Sequence, residues 1–102
     1  MSSLENFSEQ EIHELVVPKR TLARRVAHDE PLTIEETDKT LRLARVDQLA
    51  SRVFGDDQKA SRWLRKPKTA LGGKSPLSYL ATEAGARAVE EMLNRIDHGL
   101  FA

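Results

Sequence analysis

The chain has 102 residues, of which 39% are hydrophobic, 5% aromatic and 31% charged, and its sixteen basic side chains balance sixteen acidic ones. That length holds one domain or two very small ones, without room for a large internal cavity. The absence of cysteine excludes disulfides, thiolate metal sites and cysteine nucleophiles, and a net charge of zero removes any global case for nucleic-acid binding, which needs basic residues gathered on one surface.

The opening stretch MSSLENFSEQ is acidic and polar, with no basic region leading into an apolar run. No apolar run anywhere approaches the roughly 18 residues that span a bilayer, so the expectation is a soluble cytoplasmic protein with no membrane partner. Ser8 and Glu11 form a capping box that predicts a helix start. Ile12, Leu15 and Val16 share its apolar face until Pro18 interrupts. Pro18 opens a second helix, Lys19 to about Ala27, with Leu22 and Val26 expected inward. That segment holds four basic residues and no acid.

After the break His28-Asp29-Glu30-Pro31, Thr33 and Glu36 make a second capping box, and a long helix is predicted from Ile34 to about Phe54. Ile34, Thr37, Leu41 and Ala44 form one stripe, which drifts through Leu43, Val46, Leu49, Ala50 and Val53, so this helix is expected to meet partners on more than one side. Gly55 ends the helix and Asp56 caps a shorter one. In this shorter helix Ala60, Trp63 and Leu64 point inward, Lys59, Arg62, Arg65 and Lys66 point to water, and Pro67 stops it. A connector with Gly72-Gly73 follows, supplying backbone freedom. Ser75 caps and Pro76 opens the next turn, with Leu77, Leu80 and Ala81 inward. Thr82 caps the last helix, whose apolar face runs through Ala84 or Gly85, Ala88, Val89, Met92, Leu93 and Ile96 to a stop at Gly99. No alternating strand pattern occurs, so the fold class is all-α, a small helical bundle.

Several features bear on function, each with an ordinary structural alternative. The pair of helices from Ser8 to Ala27 reads as a helix-turn-helix with Lys19, Arg20 and Thr21 placed to meet base edges and Arg24 and Arg25 to meet phosphates. The pattern by itself favours the plainer reading, the solvated face of a small helix flanked by Glu5, Glu9, Glu11, Glu14, Asp29 and Glu30. Lys59, Arg62, Arg65, Lys66, Lys68 and Lys74 lie within sixteen positions that contain no acid. They suit a phosphate or an acidic protein surface, or merely a solvated face, with Trp63 as a core anchor. The run Gly72-Gly73-Lys74-Ser75 lacks the preceding strand of a phosphate-binding loop and reads as a structural turn. His13, His28 and His98 are scattered, and Asp56-Asp57 and Glu90-Glu91 read as a cap and a solvated face, so neither a metal site nor an active site is indicated. Leu100 and Phe101, beyond Gly99, either fold back or meet a partner's pocket.

The segments TLARR at Thr21–Arg25, RLARV at Arg42–Val46, VFGD at Val53–Asp56, AxxWL at Ala60–Leu64, ALGGKSPL at Ala70–Leu77, TEAGAR at Thr82–Arg87 and RIDHG at Arg95–Gly99 follow one another in a fixed order. With them, residues 21–102 resemble the Xre/MbcA/ParS family of bacterial antitoxins. The resemblance implies a helix-turn-helix-like part in residues 1–47 and a toxin-binding domain in residues 48–102. It implies the antitoxin of a type II toxin-antitoxin module, without catalytic activity or cofactor. The implied partner is a RES-domain toxin that consumes NAD+ or uses it for ADP-ribosylation.

By the same resemblance, the C-terminal domain covers the toxin's NAD pocket and the helix-turn-helix binds promoter DNA of the module's own operon, as a homodimer or in a larger complex with toxin. The implied toxin-binding residues are Lys74, Ser75, Arg95, His98, Gly99, Leu100 and Phe101, with Arg95 pairing with toxin carboxylates or occupying a phosphate position. The implied DNA-binding residues are Lys19, Arg20, Thr21, Arg24 and Arg25. The chain departs from the family at its N-terminus. Relatives carry a further helix before the segment matching Ser8, and a glycine where this chain has Val16-Val17, so the expectation is a shortened N-terminal part. The alternative is a stand-alone helix-turn-helix transcriptional regulator without a toxin partner.

Overall fold

In a computed structural model that describes residues 6–99, four of the five α-helices begin at a capping side chain. Helix α1 is Glu9–Leu15, and Ser8 and Glu11 exchange hydrogen bonds in a full capping box. Helix α2, Lys19–Ala27, starts directly after Pro18. Helix α3, Ile34–Phe54, has a second full box between Thr33 and Glu36 and ends on Gly55, whose φ of 68° is left-handed. Helix α4, Asp57–Arg65, is capped by the Asp56 carboxylate, which accepts from the Gln58 amide at 2.8 Å. Two 3₁₀ turns, Thr69–Leu71 and Leu77–Ala81, precede helix α5, Glu83–Asp97, where the Thr82 hydroxyl accepts from the Gly85 amide. The fold is all-α, and the described residues hold no strand, only one isolated antiparallel bridge between Lys68 and Lys74.

One core joins these elements. Leu43, Val46 and Ala50 of α3, Ala60 and Leu64 of α4, Leu77 and Leu80 of the second 3₁₀ turn, and Ala86, Val89 and Leu93 of α5 are buried together. Phe7, Val16 and Val17 extend the cluster, so the N-terminal turn is anchored by its own apolar side chains. Each fully buried leucine contributes about 1.5–3 kcal/mol relative to exposure. Gly85 lets the second 3₁₀ turn lie directly on the first turn of α5.

Charged side chains then fasten the ends. Arg42 reaches Glu83 at 3.4 Å and donates to the carbonyls of Leu80 and Ala81, while Arg45 pairs with Glu83 at 3.1 Å and with Glu90 at 2.8 Å. Arg65 grips Glu11 at 2.7 and 2.9 Å, donates to the Asn6 carbonyl and Ser61, and lies 5.9 Å from the Phe7 ring centroid. Burial raises the Glu11 carboxyl, but Arg65 and the Ser8 cap outweigh it and hold the group below its ordinary range. Asp47, nearly buried, accepts from the Asn6 amide at 3.1 Å, and burial together with nearby Asp57 keeps its carboxyl above the usual value.

Several expectations are corrected by this packing. Val26 is exposed rather than inward, at 74%, and of the first stripe of α3 Ile34, Thr37 and Leu41 are exposed, Ile34 at 84%. Helix α2 and residues 34–42 contribute no buried residue, and Leu22 of α2 packs only partly buried against the core. Ala81 and Ala84 are exposed and Gly85 takes the inward position. Arg65 faces Glu11 rather than open water, and Glu90 is drawn to Arg45 rather than left on a solvated face. The molecule is elongated, 48 × 28 × 20 Å.

Candidate functional site

The connector between α4 and α5 is built from its own backbone. The Lys68 amide donates to the Lys74 carbonyl at 3.0 Å, and the Gly73 amide donates back to the Lys68 carbonyl at 2.9 Å. Between these bonds the chain makes the first 3₁₀ turn, then passes through Gly72 and Gly73 at φ of 67° and 84°. Leu71 is buried as the loop's anchor, and the Tyr79 hydroxyl donates to its carbonyl at 3.3 Å. The Ser75 hydroxyl accepts from the Ser78 amide, so Ser75 does launch the next turn. Gly72–Ser75 is therefore a structural turn, and the Lys74 side chain is left exposed.

Pro67 and the loop beyond it stand off from the last turns of α5, leaving a groove of about 680 Å³ between Trp63, Lys66, Lys68 and Ala70 on one side and Met92 and Ile96 on the other. Trp63 is only half-buried. It packs on Phe54 at 5.8 Å between centroids, and the Lys68 ammonium sits 5.1 Å from its ring centroid. Burial, and then the neighbouring Lys66 charge, push the Lys68 ammonium down from its ordinary value. Among the described residues no carboxylate lines this groove. Helical spacing alone makes Trp63 a core anchor and nothing more. The basic run around Pro67 was the available signal that one face of the ring opens toward lysines.

The remaining residues expected at a toxin contact lie at the end of α5. Arg95 and His98 are exposed, the His98 amide closes the helix on Asn94 at 3.0 Å, and Gly99 turns left-handed at φ 76°. No hydrogen bond among the described residues joins Lys74 or Ser75 to Arg95 or His98. Leu100 and Phe101 lie outside the described residues.

The DNA-contact candidates occupy the other end of the chain. Lys19 and Arg20 are exposed at the start of α2, and Thr21 is half-buried. Lys19 borders a shallow depression with Glu9, His13 and Glu14. Arg24 pairs with Glu30 at 3.3 Å, both well exposed, whereas Arg25 forms an ion pair with Glu36 in which the side chains are only 14% and 12% exposed. The acid-free setting of this helix is thus a property of its sequence and not of its surroundings. Glu36 also accepts from the Thr33 amide, so the capping box and the Arg25 pair share one carboxylate oxygen.

Residues 49–99, from the end of α3 through α5, match the profile of the antitoxin Xre/MbcA/ParS C-terminal toxin-binding domain. The chain is similar to the Antitoxin Xre of Pseudomonas putida (strain KT2440), 44% identical over 84 residues that cover 82% of this chain and 53% of that protein. It is similar to the Antitoxin Xre of Yersinia enterocolitica, 41% identical over 87 residues that cover 84% of this chain and 59% of that protein. It also resembles a protein of Sphingobium sp. (strain YBL2) named Prs ADP-ribosylating antitoxin, 35% identical over 91 residues that cover 80% of this chain and 57% of that protein. The chain spans between half and three-fifths of the length of these curated relatives.

Proposed function

The chain belongs to the Xre/MbcA/ParS family of antitoxins, and from this we propose that it neutralises a RES-domain toxin by covering the pocket in which that toxin holds NAD+. The observation that carries the proposal is the match of the toxin-binding profile to residues 49–99, the part of the chain that contains the connector, its groove and α5. Within it, Leu64, Leu80 and Leu93 are fully buried, and Glu83 and Glu90 are held by Arg42 and Arg45 from the part of α3 that precedes it. Such a surface is preorganised, and binding then loses little conformational freedom. The Sphingobium relative's name connects it to ADP-ribosylation, a reaction that draws on NAD+.

The mechanism is occlusion. Lys74, Ser75, Arg95, His98 and Gly99, with Leu100 and Phe101 beyond them, close over the toxin's cleft, and Arg95 supplies a positive charge where the dinucleotide phosphates would lie. The antitoxin performs no chemistry of its own in this reading. A second role is promoter binding through the start of α2, favoured by the exposure of Lys19 and Arg20. Association with a second copy or within a larger toxin complex uses the exposed Val26, Leu32, Ile34 and Leu41. The module is a cytoplasmic type II system. Among the described residues no helix is long and apolar enough to cross a membrane.

Co-expression with a RES-domain protein, should one be encoded beside it, is the test. Growth should be rescued and the two proteins should co-purify. Absence of both would leave the stand-alone regulator as the better reading.

A further inference from the structure

We propose that the groove between Trp63 and the end of α5 docks an acidic segment of the toxin that carries apolar side chains among its carboxylates. The identity of the partner rests on the antitoxin function proposed for the chain, while the kind of segment follows from the groove itself.

Its floor is apolar, formed by Trp63, Ala70, Met92 and Ile96, and its rim carries Lys66 and Lys68. Neither lysine enters an ion pair among the described residues, a state they share with other cations such as Lys59 and Arg62; what sets them apart is their place beside the apolar floor. On α5, Glu83 and Glu90 pair with arginines, while Glu91 and Asp97 enter no ion pair among the described residues. The Trp63 ring holds the Lys68 ammonium in place without neutralising it. Two neighbouring cations, one of them partly desolvated, favour an anion between them.

The floor decides which anion. Inorganic phosphate or a nucleic-acid backbone would satisfy the lysines and leave Trp63, Met92 and Ile96 facing water. A peptide segment bearing leucine or phenylalanine between aspartates or glutamates meets both parts of the site. Buried apolar contact then carries most of the affinity, and the lysines set orientation and association rate.

Trp63 is the sole tryptophan of the chain, so its fluorescence reports on the groove in the intact protein. A capped synthetic peptide of alternating Glu and Leu ending in Phe should change the emission saturably. The change should weaken at least tenfold in Lys66→Glu/Lys68→Glu and be absent for the same peptide with Lys in place of Glu. In parallel, Lys66→Glu/Lys68→Glu should capture the toxin at least tenfold more weakly than wild type, with helix content by circular dichroism unchanged. Equal capture by both forms, equal response to the acidic and basic peptides, or the same saturable change with inorganic phosphate or an oligonucleotide would overturn the groove assignment and leave the antitoxin reading standing. Wild-type protein that captures no toxin would instead count against the antitoxin reading, and the peptide titration alone would then decide the groove.

Discussion

The carbonyl oxygen of Tyr79 occupies the space in which a side chain at Gly85 would begin: a Cβ built there lies 2.0 Å from that oxygen and 2.9 Å from its carbon. Helix propensity favours Ala over Gly by about 1 kcal/mol in a helix interior. The Cβ position is fixed by its own backbone and the atom it meets is main chain, so neither partner can rotate away. Gly85→Ala should therefore destabilise the protein by about 2–4 kcal/mol. Thermal unfolding followed by circular dichroism should show a fall of roughly 10 °C or more. A melting point at or above that of wild type would mean that the second 3₁₀ turn does not rest directly on α5.

The Arg65–Glu11 pair fixes α1 to α4, and its effect depends on pH in a defined sense. Glu11 is held below its ordinary range, so its contribution is present above about pH 4.3, the unperturbed glutamate value, and is lost as the pH falls through the folded value. Glu11→Gln keeps an N3 side chain able to complete the capping box, so the substitution isolates the ion pair. Urea unfolding at pH 7 should give a loss of about 1–2 kcal/mol, moderated by partial exposure. The gap between the two proteins should close on acidification. Asp47, whose raised value acts in the opposite direction, is present in both proteins.

Promoter affinity separates the exposed from the engaged cations of α2. Replacing both Lys19 and Arg20 by Ala should flatten the slope of log affinity against log salt by about 0.9 for each phosphate that is no longer neutralised. Arg25→Ala should instead lower the melting temperature, because it strands a mostly buried Glu36, and should leave the slope unaltered. Fluorescence anisotropy on the promoter fragment at several salt concentrations reads both slopes, and thermal unfolding reads the stability change. An unchanged slope for Lys19→Ala/Arg20→Ala would take the start of α2 out of the DNA interface.

Reversing the charge of the exposed Lys74 and Arg95 should impair toxin neutralisation without loss of fold. Lys74→Glu/Arg95→Glu should raise the antitoxin expression needed to restore growth by tenfold or more, while the circular dichroism spectrum stays that of wild type. Full rescue at wild-type expression would place the occluding surface elsewhere on the domain.

Much of the architecture is legible in the sequence because its determinants are local. The boxes at Ser8–Glu11 and Thr33–Glu36, the stop at Gly55, the Asp56 and Thr82 caps and the turn at Gly72-Gly73 each depend on residues within a few positions. What periodicity cannot reveal is which neighbour an apolar face meets. Ile34 and Leu41 share a stripe with the buried Ala44, yet packing begins only at Leu43. Pairings across the fold are equally hidden, since Glu11 and Arg65 stand 54 residues apart and Arg45 and Glu90 stand 45 apart. At the candidate site, the basic run and the connector could be read directly. Lys68 over an open face of Trp63 required knowledge of how Pro67 and the loop stand off from α5.

The two main-chain bonds between Lys68 and Lys74 have an evolutionary consequence. They leave Lys68, Thr69, Ala70 and Lys74 with little duty in folding, since Leu71 anchors the loop and the two glycines shape it. Substitutions at those four positions can accumulate while the scaffold persists. Duplicate copies of such a module within one genome can in this way diverge in partner preference and become insulated from one another, each retaining the same helical frame.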